Sequence, residues 1–224
     1  MKDFDFHLPT KIRFGRGRVG ELGSFVPAGR VIVVTDETVA TKTPALEAVR
    51  RALDGREVLV SARVEENPSL ATVVACGREA RDFGARVVVG LGGGSPMDAA
   101  KGVALLAANP GPLAGYLAGG PLENAPLPVV AVPTTSGTGS EVTPYAVFTD
   151  PEAGNKVGYG HAGLFPLLAL IDPELTYSMP SPVVINTGLD VLSHGVEAYL
   201  STLSFPLNDA LALHAVEVAL SRLG

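Results

Sequence analysis

Two polar side chains near the end of the chain are spaced so that they can share a metal ion. Asp190 and His194 are four residues apart, in a segment whose apolar residues recur at helical spacing. Residues four apart lie on one face of a helix, so this carboxylate and this imidazole can ligate the same ion. Glu197 shares that face. A pair of this kind is more often a structural hydrogen bond, so the spacing alone leaves both interpretations open.

A glycine-rich run, Gly92–Lys101, follows the apolar and β-branched segment Val87–Leu91. That segment predicts a strand buried on both faces, and the residues after the run predict a helix. Three glycines allow a ligand to approach the backbone closely, and a helix N-terminus favours an anion such as a dinucleotide pyrophosphate. The run departs from the two common phosphate-binding patterns. Met97 stands where the dinucleotide pattern has its third glycine, and no glycine precedes Lys101 as a P-loop requires.

A second glycine-rich run, Pro133–Glu141, follows another apolar segment, Val129–Val132. The two runs, written GGGSPMDAAK and PTTSGTGSE, precede the Asp190/His194 pair in that order. Together they resemble the iron-containing, or group III, alcohol dehydrogenase family, which has the dehydroquinate synthase-like fold. The resemblance extends from the opening Pro-x-Lys-Ile-x-Phe-Gly at residues 9–15 to the last helix, and residues 187–199 look like the metal-binding helix of the family.

The resemblance implies an NAD(P)-dependent oxidoreductase acting on a small primary alcohol or aldehyde, with ferrous iron, or alternatively zinc, as Lewis acid. Asp190 and His194 are the implied metal ligands. The implied cofactor-binding residues are Asp36, Asn67, Gly94, Ser95, Asp98, Thr134, Thr135, Thr138, Val147 and Lys156.

Several of these residues have simpler interpretations, which the sequence leaves open. An acidic residue at the end of the first strand, Asp36, can accept hydrogen bonds from an adenosine ribose and repel a 2′-phosphate, which favours NAD over NADP. It can equally cap the turn that follows. Ser95 and Thr134 can be helix caps, Val147 a core residue of a strand, and Lys156 a solvated charge.

The chain departs from the family at its metal site. The family completes the ligand set with two histidines on later helices, and the only histidine after His194 here is His214, which we interpret as structural. Because mononuclear sites commonly use three or four protein ligands, we expect this chain, which lacks the later part of the helical domain, to show weak or no activity by itself. The alternatives are a catalytically inactive dinucleotide-binding fragment and a relative of glycerol dehydrogenase or maleylacetate reductase.

The pattern of elements predicts an α/β fold with a Rossmann-like N-terminal domain and a mostly parallel sheet, followed by the start of an all-α domain. We place the dinucleotide-binding domain at residues 1–179 and the first helices of the metal-binding domain at 180–224. The predicted strands lie near 31–36, 58–61, 87–91, 129–132 and 169–171, with a hairpin at 145–159; the predicted helices cover 43–53, 72–83, a segment from 182 onward, and 208–223.

Composition excludes several classes of partner. A net charge of -6 gives no electrostatic footprint for nucleic acid or for an anionic membrane. No apolar run has the length of a membrane span, and the N-terminus lacks the organisation of a signal peptide, so we expect a cytoplasmic protein.

Cys76 is the single cysteine, which excludes a disulfide within the chain. An apolar face on the last two helices predicts self-association, and we expect a homo-oligomer.

Overall fold

The fold is built on a six-stranded, wholly parallel sheet with the strand order β1-β8-β5-β4-β2-β3. The structure, a computed structural model, describes residues 3–151 and 153–223. The strands are β1 (Lys11–Phe14), β2 (Val31–Val34), β3 (Val58–Ser61), β4 (Val87–Gly92), β5 (Val129–Pro133), β6 (Tyr145–Asp150), β7 (Asn155–Gly160) and β8 (Leu168–Ile171). Strands β6 and β7 form a separate antiparallel hairpin. The predicted α/β fold with a mostly parallel sheet is confirmed.

Helices cover both faces of the sheet and continue beyond it. They are α1 (Leu22–Phe25), α2 (Glu37–Lys42), α3 (Ala45–Ala52), α4 (Leu70–Phe83), α5 (Gly94–Ala108), α6 (Leu113–Leu117), α7 (Ser181–Leu200) and α8 (Pro206–Leu223). Short 3-10 helices lie at Arg18–Glu21, Ser140–Val142, Ala162–Leu164 and Pro173–Thr176. Within residues 3–151 and 153–223, no helix is both long and apolar enough to cross a membrane.

The central strands are buried because their side chains, mostly β-branched, alternate between two apolar layers. On one face, Ile32 and Val88 pack with residues of α4 and α5 and with Phe148 of the hairpin. On the other face, Val33 and Val89 pack with residues of α1, α2 and α3. This double covering places the functional surface at the carboxyl ends of the strands, where loops and helix N-termini remain accessible.

Strand β1 and the short helices α1, α2 and α6 were not predicted. Strand β1 pairs with β8 at the sheet edge, and its two apolar residues, Ile12 and Phe14, are exposed. Its register next to β8 is reinforced by Asp172, which is buried just after β8 and accepts three backbone N–H bonds, from Gly17, Val19 and Glu174. Helix α2 has six residues and begins directly after Asp36.

Helices α7 and α8 pack on each other through small residues. A Cβ at Gly195 would lie 2.7 Å from a Val216 methyl group, and one at Gly188 would lie 2.5 Å from a Leu223 methyl group. The change to helical structure after Pro180 is confirmed. The division into domains at residue 179 stays a prediction, as does self-association. Exposed apolar side chains on these helices include Ile185, Leu189, Leu200, Leu211, Leu213 and Leu220.

Candidate active site

A cleft of about 980 Å³ lies between the glycine-rich turns and the two last helices. One wall is formed by the start of α5, the turn before the 3-10 helix at 140–142 and the β6–β7 hairpin, and the other by α7 and α8. The predicted site residues that line the cleft are Asn67, Gly94, Ser95, Asp98, Thr138, Val147, Lys156, Asp190 and His194. Asp36, Thr134 and Thr135 do not line it.

The first glycine-rich run forms a tight turn from β4 into α5. Gly92 has a φ of 143°, and Gly93 caps the helix without any side-chain hydrogen bond to its first turn. A Cβ at Gly94 would lie 2.9 Å from the Thr138 methyl carbon, so the two glycine-rich turns approach each other closely. Gly94 and Ser95, at the start of this 15-residue helix, line the cleft, and no side-chain cap bond occupies the first-turn amides, an arrangement that suits an anion.

The Asn67 turn is held against both α5 and the hairpin. Its backbone, at a φ of 56°, donates an N–H to Ser95 Oγ at 3.0 Å and accepts a bond from Thr149 Oγ1 at 2.9 Å. Lys156 Nζ donates to Asn67 Oδ1 at 2.7 Å. Lys156 is exposed, as a solvated charge would be, and is also hydrogen-bonded at the cleft wall. Ser95 does not cap α5, because the cap residue is Gly93.

Two further simple interpretations also differ from the structure. Val147 is 42% exposed and lines the cleft, so it is not a core residue of its strand. Thr134 is buried at the end of β5, where its N–H donates to the Gly92 carbonyl at 2.9 Å, and no helix begins there. Thr135 lies beside Gly93, where a Cβ would meet its hydroxyl oxygen at 3.2 Å.

Asp36 caps helix α2, which is the simpler of its two interpretations. Its Oδ1 accepts the N–H of Val39 at 2.8 Å. Its Oδ2 lies 3.3 Å from the position that a Cβ on Gly92 would take, so the carboxylate also borders the first glycine-rich turn. The capping role therefore does not prevent contact with a ribose bound over that turn.

A buried polar network lies directly beneath the cleft, and the sequence interpretation missed most of it. Asp98 accepts bonds from Ser140 Oγ at 2.5 Å and from the N–H of Val147 at 2.9 Å. Lys101, which is fully buried, donates to Ser140 Oγ at 2.7 Å. The signal was present in the sequence, since Lys101 follows Asp98 by three residues on an otherwise apolar helix.

Burial shifts the pKa values of two charged groups in this network. Desolvation lowers the pKa of Lys101 to about 8, against the opposing effect of nearby Asp98 and Glu141. Desolvation likewise raises the pKa of Glu141, against the opposing effects of a backbone hydrogen bond and of the Lys101 charge. The Lys101 ammonium is therefore stabilised by the carboxylates of Asp98 and Glu141 and not by water.

Asp190 and His194 project from α7 into the cleft. Asp190 Oδ1 lies 3.7 Å from His194 Nε2, and the side chains are 38% and 53% exposed respectively. His194 Nδ1 lies 3.4 Å from the Gly137 carbonyl oxygen, which can accept the ring N–H and leave Nε2 free. Carboxylate oxygen and imidazole nitrogen are donors that suit ferrous iron or zinc, so the pair fits two positions of a metal site. In the part of the chain that the structure describes, no third His, Cys, Asp or Glu joins them.

The profile of the family described as iron-containing alcohol dehydrogenase matches residues 9–173. The chain belongs to this family. The family members that resemble it include choline dehydrogenase from Bacillus subtilis, 37% identical over 98% of this chain and 56% of its own length. Sulfoacetaldehyde reductase from Bilophila wadsworthia is 34% identical over 96% of this chain and 57% of its own length. The chain thus spans somewhat more than half the length of the curated relatives it matches.

Solved structures in the family share the whole described fold. Sulfoacetaldehyde reductase from Bifidobacterium kashiwanohense, solved in complex with NAD+, has a TM-score of 0.93 and 34% identity, covering 100% of this chain and 60% of that one. An iron-containing alcohol dehydrogenase from Thermotoga maritima has a TM-score of 0.90 and 39% identity, covering 99% and 62%. The family resemblance is therefore confirmed, and the alternative of a glycerol dehydrogenase or maleylacetate reductase relative is not favoured.

Proposed function

We propose that this chain forms the cofactor-binding part and the first metal-binding helix of an oxidoreductase that interconverts small primary alcohols and aldehydes with NAD(P). The observation that carries the proposal is that the N-terminus of α5 and the Asp190/His194 pair line the same cleft. Relatives named as alcohol, choline and sulfoacetaldehyde oxidoreductases support the substrate class, and a relative solved with NAD+ supports the cofactor.

Each wall of the cleft has its own role in this proposal. The first-turn amides of α5 would bind the pyrophosphate, and Asn67, fixed by Lys156, would border the adjacent ribose. Thr138 and Val147 would contact the nicotinamide end, nearer α7. Asp36, beside Gly92, would favour NAD by repelling a 2′-phosphate.

Asp190 and His194 would hold a divalent ion, with iron preferred from the family and zinc as the alternative. When bound, the dinucleotide exchanges the hydride and the metal polarises the substrate oxygen. The apolar side chains of Val191, Ala198 and Leu211 line the same cleft and would exclude water from the reacting carbons. Because two protein ligands hold an ion less firmly than three or four, we expect weak turnover from this chain alone.

Binding of NADH, followed by nicotinamide fluorescence, tests the cofactor half of the proposal. In Gly94→Ala the new methyl group would lie 2.9 Å from Thr138 Cγ2 and narrow the space above α5. We expect roughly tenfold weaker binding, which corresponds to about 1.4 kcal/mol. Gly20→Ala is the matched control, because a Cβ there meets nothing within 4 Å. Absence of binding by the wild type at millimolar NADH would contradict the proposal.

Zinc titration, followed calorimetrically, tests the metal half. His194→Ala removes one of the two proposed ligands, and His214→Ala removes an exposed imidazole on α8 that does not line the cleft. We expect the first variant to lose binding and the second to keep it. Equal loss in both variants, or in neither, would show that the ion binds elsewhere.

A further inference from the structure

Lys101 is an unusual residue for its position, because its side chain is wholly buried in the middle of helix α5. Its ammonium group donates to Ser140 Oγ at 2.7 Å and to the Tyr145 carbonyl oxygen at 2.5 Å. The same group lies 3.6 Å from Asp98 Oδ1. These contacts join three separate segments, namely α5, the 3-10 helix that follows the second glycine-rich run, and strand β6.

The segments that Lys101 joins form the wall of the cleft. Asp98, Ser140, Tyr145 and Val147 all line it, while Lys101 itself does not reach it. Asp98 receives the Val147 N–H and the Ser140 hydroxyl, so the positions of these residues depend on a single carboxylate. That carboxylate is within ion-pair distance of the Lys101 ammonium.

The charged groups that act on Lys101 are negative. Two carboxylates act on it, Asp98 on its own helix and Glu141 on the 3-10 helix. The sheet and α4 present mainly apolar side chains to α5, together with Cys76, whose pKa is raised by burial. Arg81 of α4 donates to the Leu106 carbonyl, near the other end of α5. If Lys101 were neutral, the negative charges of Asp98 and Glu141 would have no positive partner beneath the proposed pyrophosphate site. Solvent screens these buried charges only weakly, so they would repel the pyrophosphate.

We propose that Lys101 is a positioning residue for the cofactor. Its ammonium group fixes Ser140 and β6 against α5 and neutralises the carboxylates beneath the cleft. A dinucleotide pyrophosphate therefore binds well only while this lysine is protonated. The inference rests on the proposed function, since it concerns the same cleft. It assigns a role to a residue that cannot contact the cofactor directly.

The expected pH dependence follows from the burial of the lysine. Desolvation lowers the pKa of Lys101 to about 8, so the group is charged at pH 7 and largely neutral at pH 9.5. Affinity for NADH should therefore fall as the pH rises through this range. We expect roughly tenfold weaker binding at pH 9.5 than at pH 7, a typical effect of one buried charge on a nearby anion.

The test is NADH affinity, measured by fluorescence between pH 7 and pH 10, for the wild type and three variants. Lys101→Met keeps the length of the side chain without its charge. It should bind NADH weakly at pH 7 and show no further fall in affinity (no affinity step) as the pH rises. Lys101→Arg remains charged throughout and should keep its affinity at pH 9.5. Lys11→Met, on the edge strand away from the cleft, is the matched control and should show the wild-type step.

A fourth variant, Glu141→Gln, makes the test independent of any change at position 101. Since Glu141 raises the pKa of Lys101, its neutralisation should move the affinity step to lower pH. This comparison decides the matter if circular dichroism shows that Lys101→Met does not fold. A wild type without a step, a step that persists in folded Lys101→Met, or an unmoved step in Glu141→Gln would overturn the inference while leaving the cofactor site in place. A wild type that binds no NADH at any pH would overturn the proposed function, and this inference with it.

Discussion

Replacing Gly137 by alanine tests how the second glycine-rich turn holds the metal-binding helix at the cleft. A Cβ at this position would lie 2.6 Å from the Thr187 carbonyl oxygen and 2.9 Å from Thr187 Cβ. Ordinary van der Waals contact begins at 3.4 Å. To lengthen the distance between the new Cβ and the Thr187 oxygen from 2.6 to 3.4 Å, α7 would have to move away by about 0.8 Å. The backbone of Gly137 does not have a positive φ, so alanine itself is not strained there.

The displacement acts on His194, two turns further along α7. Its Nδ1 lies 3.4 Å from the Gly137 carbonyl oxygen, already near the limit of a hydrogen bond, and this contact would be lost. A histidine ligand whose orienting partner is removed typically loses 10- to 100-fold in metal affinity. Overpacking should also lower the free energy of unfolding by about 1–3 kcal/mol.

Two measurements read out the Gly137→Ala variant. Zinc affinity should fall at least roughly tenfold, and nitrogen chemical shifts of His194 should change from the Nδ1–H tautomer to a mixture. Gly115→Ala is the control, because its Cβ would meet only a Pro112 carbon at an ordinary 3.7 Å. Unchanged zinc affinity together with an unchanged tautomer would refute the claim that Gly137 positions the imidazole.

Two further predictions concern stability. Asp172→Ala removes a buried carboxylate that accepts three backbone N–H bonds, and it should lower the free energy of unfolding by about 2–4 kcal/mol in urea titrations; a change below about 1 kcal/mol would contradict this. Partial burial would raise the pKa of Glu65, but hydrogen bonds from Ser69 and Thr72 prevail and lower it below 4.5. The contribution of Glu65 to stability is therefore present at neutral pH and is lost as the pH falls below 4.5 through the pKa of the folded state. Glu65→Gln should flatten the acid side of a plot of Tm against pH. An unchanged slope would contradict this prediction.

The sequence predicted most of the sheet because its central strands are continuous β-branched segments, such as Val87–Leu91, and the turns after them contain clustered glycines. Helices with clear caps, such as the one that follows Ser69, were predicted within a few residues. Strand β1 was missed because its four residues alternate charged and exposed apolar side chains and gain their structure only from pairing with β8. Helix α2 was missed because six residues give too short a periodicity.

For the candidate site, the sequence motifs located the turns but not the contacts between them. Nothing in the spacing of Asn67, Ser95 and Lys156 indicates that three distant segments meet, since that depends on the hairpin folding back over α5. The sequence also gave no role to Lys101, because a lysine on a helix usually keeps its charge in water. Its burial follows from tertiary packing alone.

A crystal structure of this chain with NADH tests the central claim most directly. We expect the pyrophosphate at the first turn of α5, between Gly93 and Ser95, with the nicotinamide ring directed toward Asp190 and His194. A dinucleotide bound outside this cleft, or bound within it with the nicotinamide ring turned away from α7, would contradict the account.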